Sequence, residues 1–138
     1  MSFDLDILKI DPAKEVEKLS GFLIDQVNNV YRRKGIIIGL SGGIDSACMV
    51  SLAVHAIGKE KVFGLVLPEK ESNPVSSQYA VKHAQTLGIE FREVDISPTV
   101  DSVVNYKSRD EYIQKLVPEY QPGYRYNISL PTDLLDRD

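Results

Sequence analysis

Residues Gly35 to Leu40 read Gly-Ile-Ile-Ile-Gly-Leu, an apolar run with no alternating polar residue. A strand covered on both faces of a parallel sheet reads this way, because both rows of its side chains leave water. The next residues, Ser41-Gly42-Gly43-Ile44-Asp45-Ser46, break the run with turn-forming glycines, and a small-residue helical stretch opens near Ala47. Strand, glycine turn and helix in that order make a phosphate-binding junction. The first N–H groups of the helix lack carbonyl partners there and sit at the positive end of its dipole. Gly42 and Gly43 allow φ > 0 and remove the Cβ atoms that would hold phosphate oxygens off those amides. Ser41 and Ser46 add hydroxyl donors. Asp45 adds one carboxylate, which beside a polyphosphate implies a hard cation such as Mg²⁺ between the two.

Two common phosphate loops are excluded. No Gly-Lys-Ser or Gly-Lys-Thr follows the glycines, so no lysine rides on a terminal phosphate, and the adjacent glycines with an acidic residue after them do not fit the dinucleotide pattern Gly-x-Gly-x-x-Gly. The segment Gly39 to Ser46 resembles instead the pyrophosphate loop of the N-type ATP pyrophosphatases. That likeness implies cleavage of ATP between its α and β phosphates, with pyrophosphate held in the loop and AMP passed to an acceptor.

The rest of the chain alternates helix and strand. Asp11-Pro12 supplies an N-cap and an N1 proline, and Val16, Leu19, Leu23, Val27 and Val30 recur at spacings of three and four, predicting an amphipathic helix to about Arg33 with its stripe buried. A helix from about Ser46 to Ile57 stops at Gly58, and Lys61 to Leu67 reads as a strand ended by Pro68. The polar segment Glu69 to Pro74 precedes a helix with Val81, Ala84 and Leu87 that stops at Gly88. Ile89 to Ile96 reads as a third strand and Ser97-Pro98 as the start of another helix. This order predicts a doubly wound, Rossmann-like α/β parallel sheet. Ligands bind beyond the carboxyl ends of strands in such sheets, which brings the glycine loop and the Pro68 to Pro74 loop to one edge. From Tyr106 to Asp138 five tyrosines, three prolines and weak periodicity predict an irregular tail on a single 1–138 domain.

Composition narrows the partners. A net charge of −4 over 138 residues argues against a nucleic-acid partner, which needs clustered Lys and Arg. No apolar run approaches the roughly 20 residues of a membrane span, and the acidic start lacks the features of a signal segment, so the expected location is the cytoplasm. Cys48, the single cysteine, is expected to be a buried packing residue, and His55 and His83 surface or boundary residues without a metal role.

The flanks of the loop make the resemblance more specific. The amphipathic helix, Gly35 to Ser46, Leu52 to Leu65, Leu67-Pro68 and Glu71-Ser72-Asn73-Pro74-Val75-Ser76 together resemble the amino-terminal half of an NAD synthetase, over about Val16 to Pro98. The Pro-x-x-x-Ser-x-Pro-x-Ser pattern from Pro68 to Ser76 favours this family over others with the same loop. The resemblance implies an adenine nucleotide alpha hydrolase-like fold and a ligase that amidates deamido-NAD with free ammonia through an acyl adenylate. It further implies ATP bound by Gly39, Leu40, Ser41, Gly42, Gly43, Ile44, Asp45, Ser46 and Leu67, Mg²⁺ held by Asp45, the Glu69 to Ser76 loop as a lid, and a homodimer. Members of this kind continue well beyond this length, so the chain is expected to be truncated, with an apolar edge strand and an incomplete site. Two other readings stay open. One is a different adenylating enzyme, GMP-forming or tRNA-modifying; the other is a non-catalytic ATP-binding fragment.

Overall fold

The computed structural model describes residues 9–121 and 123–124. Helix α1 spans Pro12–Asp25, with the Asp11 carboxylate accepting from the Ala13 and Lys14 N–H groups and proline in the first turn. It runs on through one π turn, Gln26–Val30. Strand β1 (Ile36–Gly39), helix α2 (Ile44–Ile57), a 3₁₀ turn (Lys59–Lys61), strand β2 (Val62–Val66), helix α3 (Pro74–Leu87) and strand β3 (Glu90–Glu93) follow, then α4 (Ser97–Val104) and α5 (Tyr106–Leu116). The chain divides into two compact units, Met1–Ser97 and Pro98–Asp138.

The first unit holds a parallel sheet in the order β1-β2-β3. Ile36 is in register with Val62, and Phe63 with Glu90. Leu40 extends the first pairing by donating to the Leu65 carbonyl at 2.8 Å. Helices α2 and α3 make the two crossovers and share a core with the sheet: Leu40, Val50, Ala53, Val62, Val66, Ala80, Ala84 and Ile89 are buried, and Ile36, Ile38 and Phe91 pack against them. Gly88, at φ +66, closes α3 in the left-handed conformation that its lack of a Cβ permits.

Two expectations about burial are corrected. β1 pairs only with β2, and Ile37 is 71% exposed, so among the described residues the Ile36 to Ile38 run is covered on one face only. The α1 stripe is likewise half covered: Val27 is buried and Leu23 half-buried, while Val16, Leu19 and Val30 are exposed. The buried side of α1 is rotated toward Ser20, so periodicity located the helix face but not the neighbour's footprint.

In the second unit the expected irregular segment contains α5. Asn105 caps it by accepting from the Ser108 N–H, and the Arg109 guanidinium lies 5.0 Å from the Tyr106 ring centre and donates to Asp110 at 2.7 Å. Tyr120 donates its hydroxyl to the same carboxylate oxygen at 3.0 Å. Tyr106 and Tyr120 are both buried here, which anchors the segment. The rest of the expected tail, 125–138 with Tyr126, lies outside the described residues.

Candidate active site: the Ser41 to Ser46 loop

The loop between β1 and α2 is organised by its own serines. Ser46 donates its one hydroxyl proton to the Gly43 carbonyl at 3.0 Å and accepts from the Ser41 N–H at 3.2 Å. With that proton committed, the 3.0 Å contact between the two hydroxyls has Ser41 as donor. Ser41 Oγ in turn accepts from the Gly43 N–H at 3.2 Å. Both hydroxyl protons expected to face a phosphate are thus engaged inside the loop, and an incoming anion meets backbone amides first.

Those amides are open. α2 has Gly43 at its N-cap and no side-chain cap, whereas α1 and α3 are capped by Asp11 and Asn73. Ala47 is the first residue whose N–H returns to the helix, to the Gly43 carbonyl at 3.1 Å, so the first-turn N–H groups of Ile44, Asp45 and Ser46 point out along the dipole. Asp45 stands exposed in this first turn.

The two glycines differ in backbone conformation. Gly42 has φ +77, and a Cβ there would stand 2.1 Å from the Ser76 carbonyl oxygen, so its missing side chain makes room for the first turn of α3. Gly43 has φ −86 and a Cβ there would meet Ser41 Oγ at 3.4 Å, an ordinary contact. Only Gly42 therefore needs the left-handed region.

The other expected residues lie at the same edge. Gly39 ends β1 and Leu40 is buried beneath the loop. Leu67 follows β2 and is 42% exposed. The carbonyls of Val66 and Pro68 accept from Val94 and Ile96, while the Leu65 carbonyl accepts from Leu40. By strand alternation the Leu67 carbonyl points to β1's side, beyond the last residue paired there. Pro68, Glu69, Asn73, Pro74, Gln78 and Val81 line a cavity of about 460 Å³ at this edge.

Other side chains fall elsewhere. Cys48, expected to be buried, is exposed on α2 together with Met49, because the core takes Val50 and Ala53 from that helix. His55 is exposed, as expected. His83, expected at the surface or boundary, is half-buried, and its Nε2 lies 3.1 Å from Ser51 Oγ and 3.3 Å from the Ala47 carbonyl oxygen, in the opening turns of α2. Nothing in the spacing of the chain signals that contact. Among the described residues no three His, Cys, Asp or Glu side chains form a metal cluster, and no helix is long and apolar enough to cross a membrane.

A family model described as NAD synthase matches residues 15–128. The chain belongs to the NAD synthase family. It is 42% identical over 132 residues to the NH(3)-dependent NAD(+) synthetase of Rhizobium meliloti (strain 1021), covering 96% of this chain and 39% of that protein. It is 41% identical over 95 residues to the enzyme of the same name from Pyrococcus horikoshii, covering 69% of this chain and 34% of that protein. Among solved structures, NMN synthetase from Francisella tularensis superposes with a TM-score of 0.65 at 28% identity, over 81% of this chain and 52% of that one. The NH3-dependent NAD synthetase of Campylobacter jejuni, in complex with nitrate, gives 0.64 at 28% identity, over 80% and 52%. Both superpose on the parallel α/β architecture described above. The chain spans 39% of the length of the Rhizobium relative.

Proposed function

We propose that this chain supplies the ATP-binding half of an ammonia-dependent NAD synthetase, a ligase that amidates the nicotinate carboxylate of deamido-NAD. A carboxylate is a poor acceptor for ammonia because oxide would have to leave. In the proposed first step a carboxylate oxygen attacks the α-phosphorus of ATP, the bond to the bridging oxygen breaks, and pyrophosphate departs. In the second step the ammonia nitrogen attacks the acyl carbon, AMP leaves, and one proton is released.

The uncapped start of α2 at the carboxyl end of β1 carries this reading, in a chain whose residues 15–128 match the NAD synthase model. The amides of Ile44, Asp45 and Ser46 would hold charge gathering on the departing pyrophosphate. Ser41 and Ser46 would turn their hydroxyls outward to join them, and the Leu67 carbonyl would accept from the adenine amino group. One exposed carboxylate in the first turn suits a cation that keeps most of its water and takes the rest of its ligands from phosphate, so Asp45 would hold Mg²⁺. When bound, that ion neutralises phosphate charge. Cytoplasmic location and a homodimer, with exposed Leu19, Phe22 and Val30 of the first helix and its π turn as a contact face, belong to the same reading.

A second reading has its own support. Both hydroxyl protons of the loop are engaged inside it, and its open groups are backbone amides, which bind an anion without acting on it. In that reading the loop binds ATP without turnover. Incubation with Mg-ATP, deamido-NAD and ammonium decides between them. Equal yields of AMP, pyrophosphate and NAD, abolished by Asp45→Ala, establish the synthetase; stoichiometric ATP binding without AMP release establishes the binding half.

A further inference from the structure

The environment of His83 fixes what its imidazole does. Ser51 donates its hydroxyl proton to the Ala47 carbonyl at 2.8 Å, so toward His83 it offers only lone pairs. The Ala47 carbonyl also accepts only. With the Ser51 proton on Ala47, both neighbours of Nε2 are acceptors, at 3.1 and 3.3 Å, an arrangement that matches the Nε2–H tautomer.

Ala47 is the residue whose own N–H closes the first hydrogen bond of α2, to Gly43. At the other end of the same α3 face, the Ser76 carbonyl fills the space left by the missing Cβ of Gly42. α3 thus grips the loop and the first turn of α2 at two points, with a cavity of about 150 Å³ between them lined by Gly42, Ser46, Tyr79 and His83. The sterics of Gly42 fix the height of α3 over the loop, and the His83 hydrogen bond fixes its register along α2.

We infer that His83 is a positioning residue for the phosphate loop: its Nε2–H clamps the first turn of α2 to α3 and holds the Ile44 to Ser46 amides in the direction an anion needs. Its functional side rests on the reading of the loop as a pyrophosphate site. The test compares the chain with His83→Ala and His83→Gln, whose amide N–H₂ can reach where Nε2–H does. Imidazole ¹⁵N shifts of the unaltered chain report the Nε2–H tautomer. In His83→Ala, hydrogen exchange at the Ala47 and Ser51 amides rises at least about tenfold while exchange across β2 is unchanged, and the glutamine restores the protection. Pyrophosphate, titrated with Mg²⁺ present, binds His83→Ala about tenfold more weakly and His83→Gln within about threefold of the original.

The opposite tautomer, unchanged exchange at Ala47, or an equal rise across the whole sheet overturns the clamp. Local loosening without weaker pyrophosphate binding overturns its role in the site. If the unaltered chain binds no pyrophosphate, the functional reading of the loop falls, and the exchange result still decides for or against the clamp.

Discussion

The carbonyl oxygen of Ser76 lies 2.1 Å from the point where a Cβ on Gly42 would stand, so the first turn of α3 and the phosphate loop share space only a glycine leaves open. Two adjacent glycines consequently differ in what they can bear. Gly42→Ala meets both the Ser76 backbone and a φ of +77, and is expected to lower unfolding free energy by about 2 kcal/mol or more. Gly43→Ala, at φ −86, is expected to change it by less than about 0.5 kcal/mol. Urea denaturation of the two variants checks the contrast, and equal losses would refute it.

Ser20 carries a buried hydroxyl for which no partner exists among the described residues. Burying an unpaired hydroxyl is unfavourable, and alanine is the better helix former. Ser20→Ala is expected to stabilise the chain by about 1 kcal/mol, read as a higher denaturation midpoint at unchanged slope.

Asp95 accepts from both the hydroxyl and the N–H of Ser97. The hydroxyl first, and then the backbone group, hold its carboxyl below the ordinary value of 3.8. A group with a lowered folded pKa contributes stability that is fully present above its unfolded pKa and lost as pH falls through its folded one. Ser97→Ala removes the larger of the two bonds and is expected to raise the Asp95 pKa in a carbon-detected NMR titration. Any stability difference it causes should be present at neutral pH and fade below pH 3.8.

Tyr120 is buried with its hydroxyl on Asp110. Tyr120→Phe keeps the ring and removes the donor, with an expected cost of about 1 kcal/mol in thermal or urea unfolding. No loss would show that the Tyr120 hydroxyl adds nothing to what holds that carboxylate.

Ile37 presents an apolar side chain, 71% exposed, on β1, the edge of the sheet among the described residues. Such edges template pairing with further strands, and an edge lysine suppresses it. Ile37→Lys is expected to reduce light scattering and the sedimenting aggregate on concentration.

Much of the site was legible because it is local. The apolar run, the glycines and the capping residue Asp11 each act within a few residues of themselves, and the segments they delimit appear as β1, the loop and α1. What escaped depends on partners far along the chain. The necessity of Gly42 comes from Ser76, the proton position of His83 from Ala47 and Ser51, and the exposure of Cys48 from which side of α2 meets the sheet. α5 was missed for another reason. Its tyrosines were read together with the prolines beyond it, which hid a helix begun by Asn105.

Among the described residues β1 is paired on one side only, and this has a thermodynamic consequence. Its carboxyl end leads into the Ser41 to Ser46 loop, so a strand that paired with its other side would arrive beside the amides of α2. Growth of the sheet and occupancy of the loop are then linked equilibria. An anion that orders the loop raises the affinity of the incoming strand, and the strand raises the affinity for the anion by the same factor.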